Sequence, residues 1–221
     1  MTDADWHARW RDDRIGFHRS DIHPMLAAHW PTAGVAAGAT VFVPLAGKSL
    51  DMHWLAAQGH RVVGIELSRV AVEAFFEEAG LEATTGCEAG IDYLEHRNIR
   101  LYCGDVFALH TEHLQGVTTC YDRAALVALD AETRRRYAAT LAALLPAGSS
   151  TLLVTVEYAQ LEMSGPPFAV MSDEVERLFA ADFAITDLQK TDVLDDEPKF
   201  RSRGVTAMRE CAWQLVRSDQ K

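Results

Sequence analysis

Residues 40–66 read TVFVPLAGKSLDMHWLAAQGHRVVGIE, and their pattern indicates the fold class. A short run of β-branched and apolar residues, 40–45, predicts a strand that is buried on both faces. A helix over residues 49–58 follows, and Gly59 stands where the residue after a helix is expected. A second strand is predicted over residues 61–66. The order strand, helix, strand indicates a unit of a parallel sheet.

The same alternation continues to the end of the chain. Ser68 is predicted to cap a helix over residues 69–79, and residues 81–98 predict either a short hairpin or a helical insertion. The other expected elements are strands at 99–103, 117–121, 151–157, 184–190 and 204–215, and helices at 131–145 and 172–180. We therefore expect an α/β fold with a mostly parallel seven-stranded sheet, helices on both faces and one antiparallel strand near the C-terminus.

Charge and composition exclude several classes of partner. The chain has 21 Lys and Arg against 32 Asp and Glu, a formal net charge of −11, which repels phosphate backbones and anionic lipids. We expect no nucleic-acid and no membrane partner. The start of the chain lacks the apolar segment of a signal peptide. The four cysteines form no CxxC motif, which is typical of reduced thiols in the cytoplasm.

Glycines and polar residues follow the ends of four predicted strands. In an open parallel sheet, ligands bind outside the carboxyl ends of the strands. Gly47 permits a close backbone approach, and Glu66, 19 positions later, has the spacing at which a carboxylate accepts hydrogen bonds from ribose hydroxyls. Asp105 can reach the exocyclic amine of an adenine, and Asp122 and Arg123 follow the fourth strand. Together these turns predict a nucleoside-binding crevice, although singly Glu66 and Asp105 can also be a surface acid and a helix cap.

Two phosphate-binding motifs are incomplete here. The letters GKS at 47–49 match the end of a P-loop, but Phe42 replaces its first glycine and Pro44 interrupts the loop. A dinucleotide site requires GxGxxG, whereas this turn has a single glycine. A nucleoside without phosphates remains, and S-adenosyl-methionine is the commonest such ligand.

Several segments resemble one known family, the thiopurine S-methyltransferases. They are WxxxW at 6–10, IGFH at 15–18, VPLAGKSLDMHWLAAQGHRVVGIELS at 43–68, LYCGD at 101–105, YDRAAL at 121–126 and GPPF at 165–168. These segments occur in the family's order over nearly the whole chain. Two departures are Ala46, where the family usually has cysteine, and residues 81–98, which do not match.

The resemblance implies a Rossmann-like methyltransferase fold, S-adenosyl-methionine as methyl donor and S-methylation of aromatic or heterocyclic thiols. Phe17 is implied to contact the acceptor. The residues implied to contact the donor are Trp6, Trp10, Leu45, Glu66, Asp105, Val106 and Arg123, to which we add Gly47 from its place after the first strand.

Methyl transfer from a sulfonium to a thiolate disperses charge, so a dry, closed and aromatic site favours it. Trp6, Trp10 and Phe17 supply aromatic faces that attract a sulfonium. We therefore expect one domain, 1–221, with residues 1–30 as an N-terminal helical lid; alternatively, the tryptophans only anchor the first helix.

The acceptor side carries two polar candidates, His18 and Arg123, and no residue is expected to be indispensable as a catalyst. No metal is expected, because His110 and His113 lack a third ligand at useful spacing. Two alternatives remain open: a methyltransferase for selenium or tellurium compounds, halides or small thiols, and a non-catalytic sensor of an adenosyl ligand. We expect a cytoplasmic monomer.

Overall fold

The computed structural model describes residues 2–219, which form two compact units. The first unit extends to Tyr121 and the second begins at Asp122. The elements are α1 (Asp3–Arg11), α2 (Pro24–His29), β1 (Thr40–Val43), α3 (Leu50–Ala57), β2 (Arg61–Glu66), α4 (Arg69–Glu77), β3 (Thr84–Glu88), β4 (Ile91–His96), β5 (Ile99–Cys103), β6 (Val117–Arg123), α5 (Ala131–Leu144), β7 (Ser150–Glu157), α6 (Ser172–Phe179), β8 (Phe183–Asp192), α7 (Pro198–Arg201) and β9 (Arg209–Arg217).

The sheet of the first unit has the strand order β3-β4-β5-β2-β1-β6. Strand β1 pairs in parallel with β2 and β6, and β2 pairs in parallel with β5. Val43 is in register with Gly64, and Glu66 is in register with Cys103. The carboxyl ends of β1, β2 and β5 therefore meet at one edge of the sheet, where ligands bind in folds of this type.

The central strands are buried because their side chains are apolar on both faces. Val41, Phe42 and Val43 are at most 3% exposed. Helix α4 turns Phe75 and Phe76 into this core. Ser49 caps α3, where its hydroxyl oxygen accepts a hydrogen bond from the Asp51 N–H at 3.3 Å. The helix thus begins shortly after the turn that follows β1.

Buried hydrogen bonds hold residues 23–30 against this core. The two carboxylate oxygens of Asp51 accept from the backbone N–H of His23 at 2.8 Å and from the hydroxyl of Tyr121 at 2.9 Å. The indole N–H of Trp30 donates to Nε2 of His60 at 3.0 Å. Since breaking such bonds in a buried site is costly, residues 23–30 of the expected lid are held to the core.

The second unit contains an antiparallel sheet of order β7-β9-β8. A small apolar cluster packs beside it, formed by Tyr158, Met163, Ala169, Leu194, Phe200, Val205 and Met208. The cluster joins the segment that follows β7 to the segment between β8 and β9. Both long connections of this unit therefore have a packed interior.

The longest helix, α5, has 14 residues. Its N-cap, Asp130, accepts a hydrogen bond from the Thr133 N–H at 3.0 Å. Tyr137 and Leu141 are buried on its inner face. Within residues 2–219, no helix combines the length and the apolar character needed to cross a bilayer.

The predicted fold class is confirmed, but the expected number of strands is wrong. Residues 2–219 contain nine strands because residues 81–98 form the hairpin of β3 and β4. Two strands are antiparallel to both neighbours: β9, which was expected near the C-terminus, and β4, which was not. Strand β9 also begins at Arg209, later than the predicted residue 204.

Candidate active site

The turn after β1 has an unusual backbone. Leu45 and Gly47 both adopt positive φ angles, +44° and +54°. This region is accessible to glycine but strains a leucine. The turn is fixed from the neighbouring strand, because the Ala46 N–H donates to the carbonyl of Ile65 at 2.9 Å. Leu45 and Gly47, the two residues of this turn that are predicted to contact the donor, therefore have a fixed backbone conformation.

Glu66 ends β2 and holds two backbone segments. Oε2 accepts a hydrogen bond from the Gly47 N–H at 2.9 Å, and Oε1 accepts one from the Ser68 N–H at 2.8 Å. The side chain is only 7% exposed. Burial raises the pKa of Glu66 above its usual value, while the N–H groups of Ser68 and Gly47 oppose that shift. Each oxygen can accept a further hydrogen bond.

The turn after β5 joins the same edge. The Gly104 N–H donates to the backbone carbonyl of Glu66 at 2.9 Å. Asp105 is exposed, and its Oδ1 caps the short 3₁₀ turn Val106–Ala108 by accepting from the Phe107 N–H at 2.9 Å. Val106 is buried. Asp105 therefore acts as a helix cap, the alternative weighed from the sequence, and its second oxygen is not part of that bond.

Three aromatic rings of the N-terminal segment form a cluster. The ring of Phe17 meets Trp6 and Trp10 edge-on, with centroids 5.8 and 5.5 Å apart. Trp10 is 7% exposed and also contacts the turn after β1, since a β-carbon built on Gly47 would lie 3.1 Å from its Cζ2. The half-buried His18 follows Phe17, and the backbone N–H of His18 donates to the Ile15 carbonyl at 2.7 Å. The aromatic cluster thus lies against the edge formed by Gly47 and Glu66.

Arg123 is the last residue of β6, whose final two residues, Asp122 and Arg123, fall in the second unit. Its side chain is half-buried. Across residues 2–219, no acid forms an ion pair with its guanidinium and no acceptor hydrogen-bonds to it. The guanidinium is therefore available to an anionic ligand.

Ser68 is a site neighbour that the sequence did not reveal. It occupies the N-cap position of α4, as predicted, but its hydroxyl makes no capping hydrogen bond. Within the described part of the chain, the buried Oγ has no hydrogen-bond partner at all. A buried hydroxyl left unpaired is costly, and this one lies two residues from Glu66. No sequence signal separates such a serine from an ordinary cap.

The residues at this edge fit a nucleoside. A ribose diol needs acceptors, which the free lone pairs of Glu66 supply. An adenine needs a close backbone approach and an apolar wall, which Gly47 and Val106 offer. The turns contain no phosphate-binding glycine motif. The ring of Trp10 lies at the same edge, and an aromatic face of this kind can attract a cation.

His110 and His113, the histidine pair weighed as metal ligands from the sequence, make contacts with backbone groups. The rings of His110 and His113 stack with centroids 5.9 Å apart, and the His110 N–H lies 3.0 Å from Nδ1 of His113. Nε2 of His113 lies 3.2 Å from the Glu88 carbonyl. In the region that the structure describes, no three His, Cys, Asp or Glu side chains gather as a group able to hold a metal ion.

Solved structures define the class of the fold. A 1,6-didemethyltoxoflavin-N1-methyltransferase from Burkholderia thailandensis matches with a TM-score of 0.66 at 18% identity, covering 98% of this chain and 87% of that chain. A SAM-dependent methyltransferase from Anabaena variabilis matches with a TM-score of 0.67 at 12% identity, covering 98% and 96%. The protein thus has the Rossmann-like fold of the S-adenosyl-methionine-dependent methyltransferases.

Sequence comparison narrows the class to one family. The profile of the family described as Thiopurine S-methyltransferase (TPMT) matches residues 1–218. The Thiopurine S-methyltransferase of Pseudomonas entomophila is 48% identical over 217 residues, covering 98% of this chain and all of the relative. That of Xanthomonas campestris pv. campestris is 46% identical over 212 residues, covering 96% and 97%. The chain belongs to the thiopurine S-methyltransferase family and is an S-adenosyl-methionine-dependent methyltransferase, which confirms the resemblance inferred from the sequence.

Proposed function

We propose that the protein transfers the methyl group of S-adenosyl-methionine to the sulfur of an aromatic or heterocyclic thiol. The observation that carries the proposal is the contact of Trp10 with Gly47, whose N–H is bound to Glu66. This arrangement combines a ribose-binding acid, a close backbone approach and an aromatic wall. The relatives named above carry the name of an enzyme that acts on a heterocyclic thiol.

On the donor side, Glu66 accepts the ribose hydroxyls and Gly47 lets the backbone approach the nucleoside. Leu45 and Val106 contribute apolar surface, and the free carboxylate oxygen of Asp105 accepts from the adenine amine. S-adenosyl-methionine supplies a methyl group activated by a sulfonium. These residues hold the nucleoside and take no part in bond breaking.

Residues 2–20 close over the bound molecules as the lid. Trp6, Trp10 and Phe17 exclude water and present aromatic faces to the sulfonium charge. Phe17 also contacts the ring of the acceptor. The positive charge of the donor and the negative charge of the thiolate are dispersed in the transition state. An apolar enclosure therefore stabilises the transition state relative to the separated, charged reactants.

On the acceptor side, Arg123 stabilises the thiolate form of the acceptor, and His18 assists by hydrogen bonding. An aromatic thiol is partly ionised near neutral pH, so positioning carries most of the catalysis and no single general base is required. The sulfur attacks the methyl carbon in line with the departing thioether. The proton of the thiol passes to solvent.

We also propose that the chain works as one methyltransferase domain, as a cytoplasmic monomer, without a metal ion and without nucleic-acid or membrane partners. The net charge of −11 supports the last point. The lid is confined to residues before His23, because His23 and Trp30 are tied down by buried hydrogen bonds.

A labelled-methyl transfer screen tests the function. The purified protein is incubated with methyl-labelled S-adenosyl-methionine and, in parallel, aromatic thiols, aliphatic thiols, halides or selenite. Label should appear on aromatic thiols at least tenfold faster than on the other acceptors. A preference for selenite or halides would replace the proposed acceptor. Donor binding in calorimetry without any transfer would make the protein a sensor.

A further inference from the structure

The turn after β6 contains a strained alanine. Ala124, directly after Arg123, has a φ of +67°. The β-carbon of an L-residue makes this left-handed conformation unfavourable, whereas glycine adopts it at no steric cost. An alanine persists there only where neighbouring bonds fix the backbone. Interactions with neighbouring residues must therefore fix the backbone of the turn that carries Arg123.

Asp122 supplies those bonds. Its Oδ1 accepts a hydrogen bond from the Leu126 N–H at 3.4 Å. Its Oδ2 accepts from the Tyr137 hydroxyl of α5 at 2.7 Å. The carboxylate thus closes the turn 122–126 on itself and ties it to a helix.

Asp122 and Arg123 face opposite sides of β6, because successive side chains alternate along a strand. Tyr137 anchors Asp122 on one side. The side chain of Arg123 leaves the backbone on the other side, and no acid or acceptor among residues 2–219 binds its guanidinium. Asp122 is therefore placed to fix the backbone from which the side chain of Arg123 projects.

The buried acid is a poor source of stability. Asp122 is 0% exposed, and within the described residues no cation pairs with it. Burial raises its pKa to about 6, although the Tyr137 hydroxyl and the N–H groups of Leu126 and Ala125 favour the charged form. What the carboxylate contributes is the geometry of the turn.

We propose that Asp122 is a positioning residue that acts through Arg123: by closing the turn 122–126 around the left-handed Ala124, it directs the guanidinium at the acceptor thiolate. The inference rests on the proposed function, since it assumes that Arg123 meets the acceptor.

The test is a double-mutant cycle in the full-length protein. Asp122→Asn, Arg123→Ala and the double variant are assayed for methyl transfer to an aromatic thiol, with calorimetry of S-adenosyl-homocysteine and thermal unfolding as checks. Asp122→Asn should lower kcat/KM for the thiol roughly tenfold and leave the affinity for S-adenosyl-homocysteine within about twofold. In the Arg123→Ala background, Asp122→Asn should have almost no further effect.

Two further variants keep the test decisive if Asp122→Asn folds poorly. Tyr137→Phe removes one hydrogen bond to Asp122 and should reproduce the loss of kcat/KM. Thr155→Val, the matched control, removes a buried hydroxyl that accepts from the Trp213 indole at 2.9 Å and should leave kcat/KM unchanged.

The outcomes separate the two proposals. Equal losses from Asp122→Asn with and without Arg123 would show that Asp122 acts on the fold and would overturn the inference alone. Absence of thiol methylation in the unmodified protein would overturn the proposed function and the inference with it. If Arg123→Ala is fully active, the inference fails while thiol methylation stands.

Discussion

The indole ring of Trp10 lies directly on Gly47, so that a β-carbon at Gly47 would be 3.1 Å from Cζ2 and 3.4 Å from Cη2 of the ring. Gly47 in turn donates its N–H to Glu66. Trp10 and Glu66 are far apart in the sequence, yet one small residue separates them in the first unit. A change at any of the three should therefore alter the surroundings of the donor.

Gly47→Ala should weaken donor binding by about tenfold, because the new methyl group displaces the Trp10 ring. Gly38→Ala is the matched control: Gly38 also has a positive φ, +71°, but a β-carbon there meets nothing within 4 Å. Both variants strain the backbone, and only the first disturbs Trp10. Calorimetry with S-adenosyl-homocysteine measures the affinity of each variant. Equal affinities in the two variants would show that Trp10 does not contribute to the donor site.

Glu66→Ala should cost about 1.5–3 kcal/mol of donor affinity, the usual range for hydrogen bonds to a charged group. Glu73→Gln, a change of an exposed acid that pairs with Arg69 at 2.8 Å, should have no effect. Titration calorimetry decides, and an unchanged affinity of Glu66→Ala for S-adenosyl-methionine would refute the ribose assignment.

Deletion of residues 2–20 should leave a folded protein that has lost most of its turnover. Folding should survive because His23 and Trp30 keep their buried hydrogen bonds. Circular dichroism and single-turnover methyl transfer are the measurements. Full turnover in the shortened protein would mean that the aromatic cluster only packs, and loss of folding would make the segment part of the core.

The pH dependence of the rate should belong to the acceptor. A thiol reacts as its thiolate, so kcat/KM should rise with pH through the pKa of the acceptor. Two aromatic thiols of different acidity should give inflections that move with the thiol, while Arg123→Ala and His18→Ala slow both reactions without abolishing them. An inflection that stays fixed for both thiols would reveal a protein base.

Asp122 should destabilise the protein as the pH rises from about 4 to about 6. Its pKa is raised in the folded state from the ordinary 3.8 to about 6, so the folded state binds more protons in this window. Relative to Asp122→Asn, the wild type should lose roughly 1–3 kcal/mol of unfolding free energy over that range. Urea unfolding at pH 4 and pH 7 measures both proteins; a difference that is independent of pH would contradict the buried charge.

Much of the fold follows from local sequence patterns. The buried runs that became β1 and β2, and the cap at Asp130, depend on neighbouring residues alone. The hairpin at 84–96 is harder to predict because its first strand is polar: Thr84, Thr85 and Cys87 are exposed, so no apolar alternation marks that strand. Its two strands account for the difference between the seven strands expected and the nine observed in residues 2–219.

The candidate site was predictable where position along a strand sufficed. The positions of Glu66 and Gly47 follow from the ends of two strands, whereas the hydrogen bond between them is seen only in the structure. Ser68 and Asp122 could not be assigned this way, because their roles depend on partners distant in the sequence or on the lack of one. The hydroxyl of Tyr137, 15 positions away, is what distinguishes Asp122 from an ordinary strand-end acid.

The double anchoring of Glu66 has a consequence for inhibition. Because its carboxylate already orders the loops at Gly47 and Ser68, ligand entry requires little loss of conformational freedom, and much of the binding energy is available to any molecule with the adenosyl portion. That portion is common to the methyl donor and to the demethylated product. Product should therefore remain a competitive inhibitor, and sustained turnover should depend on an activity that removes S-adenosyl-homocysteine.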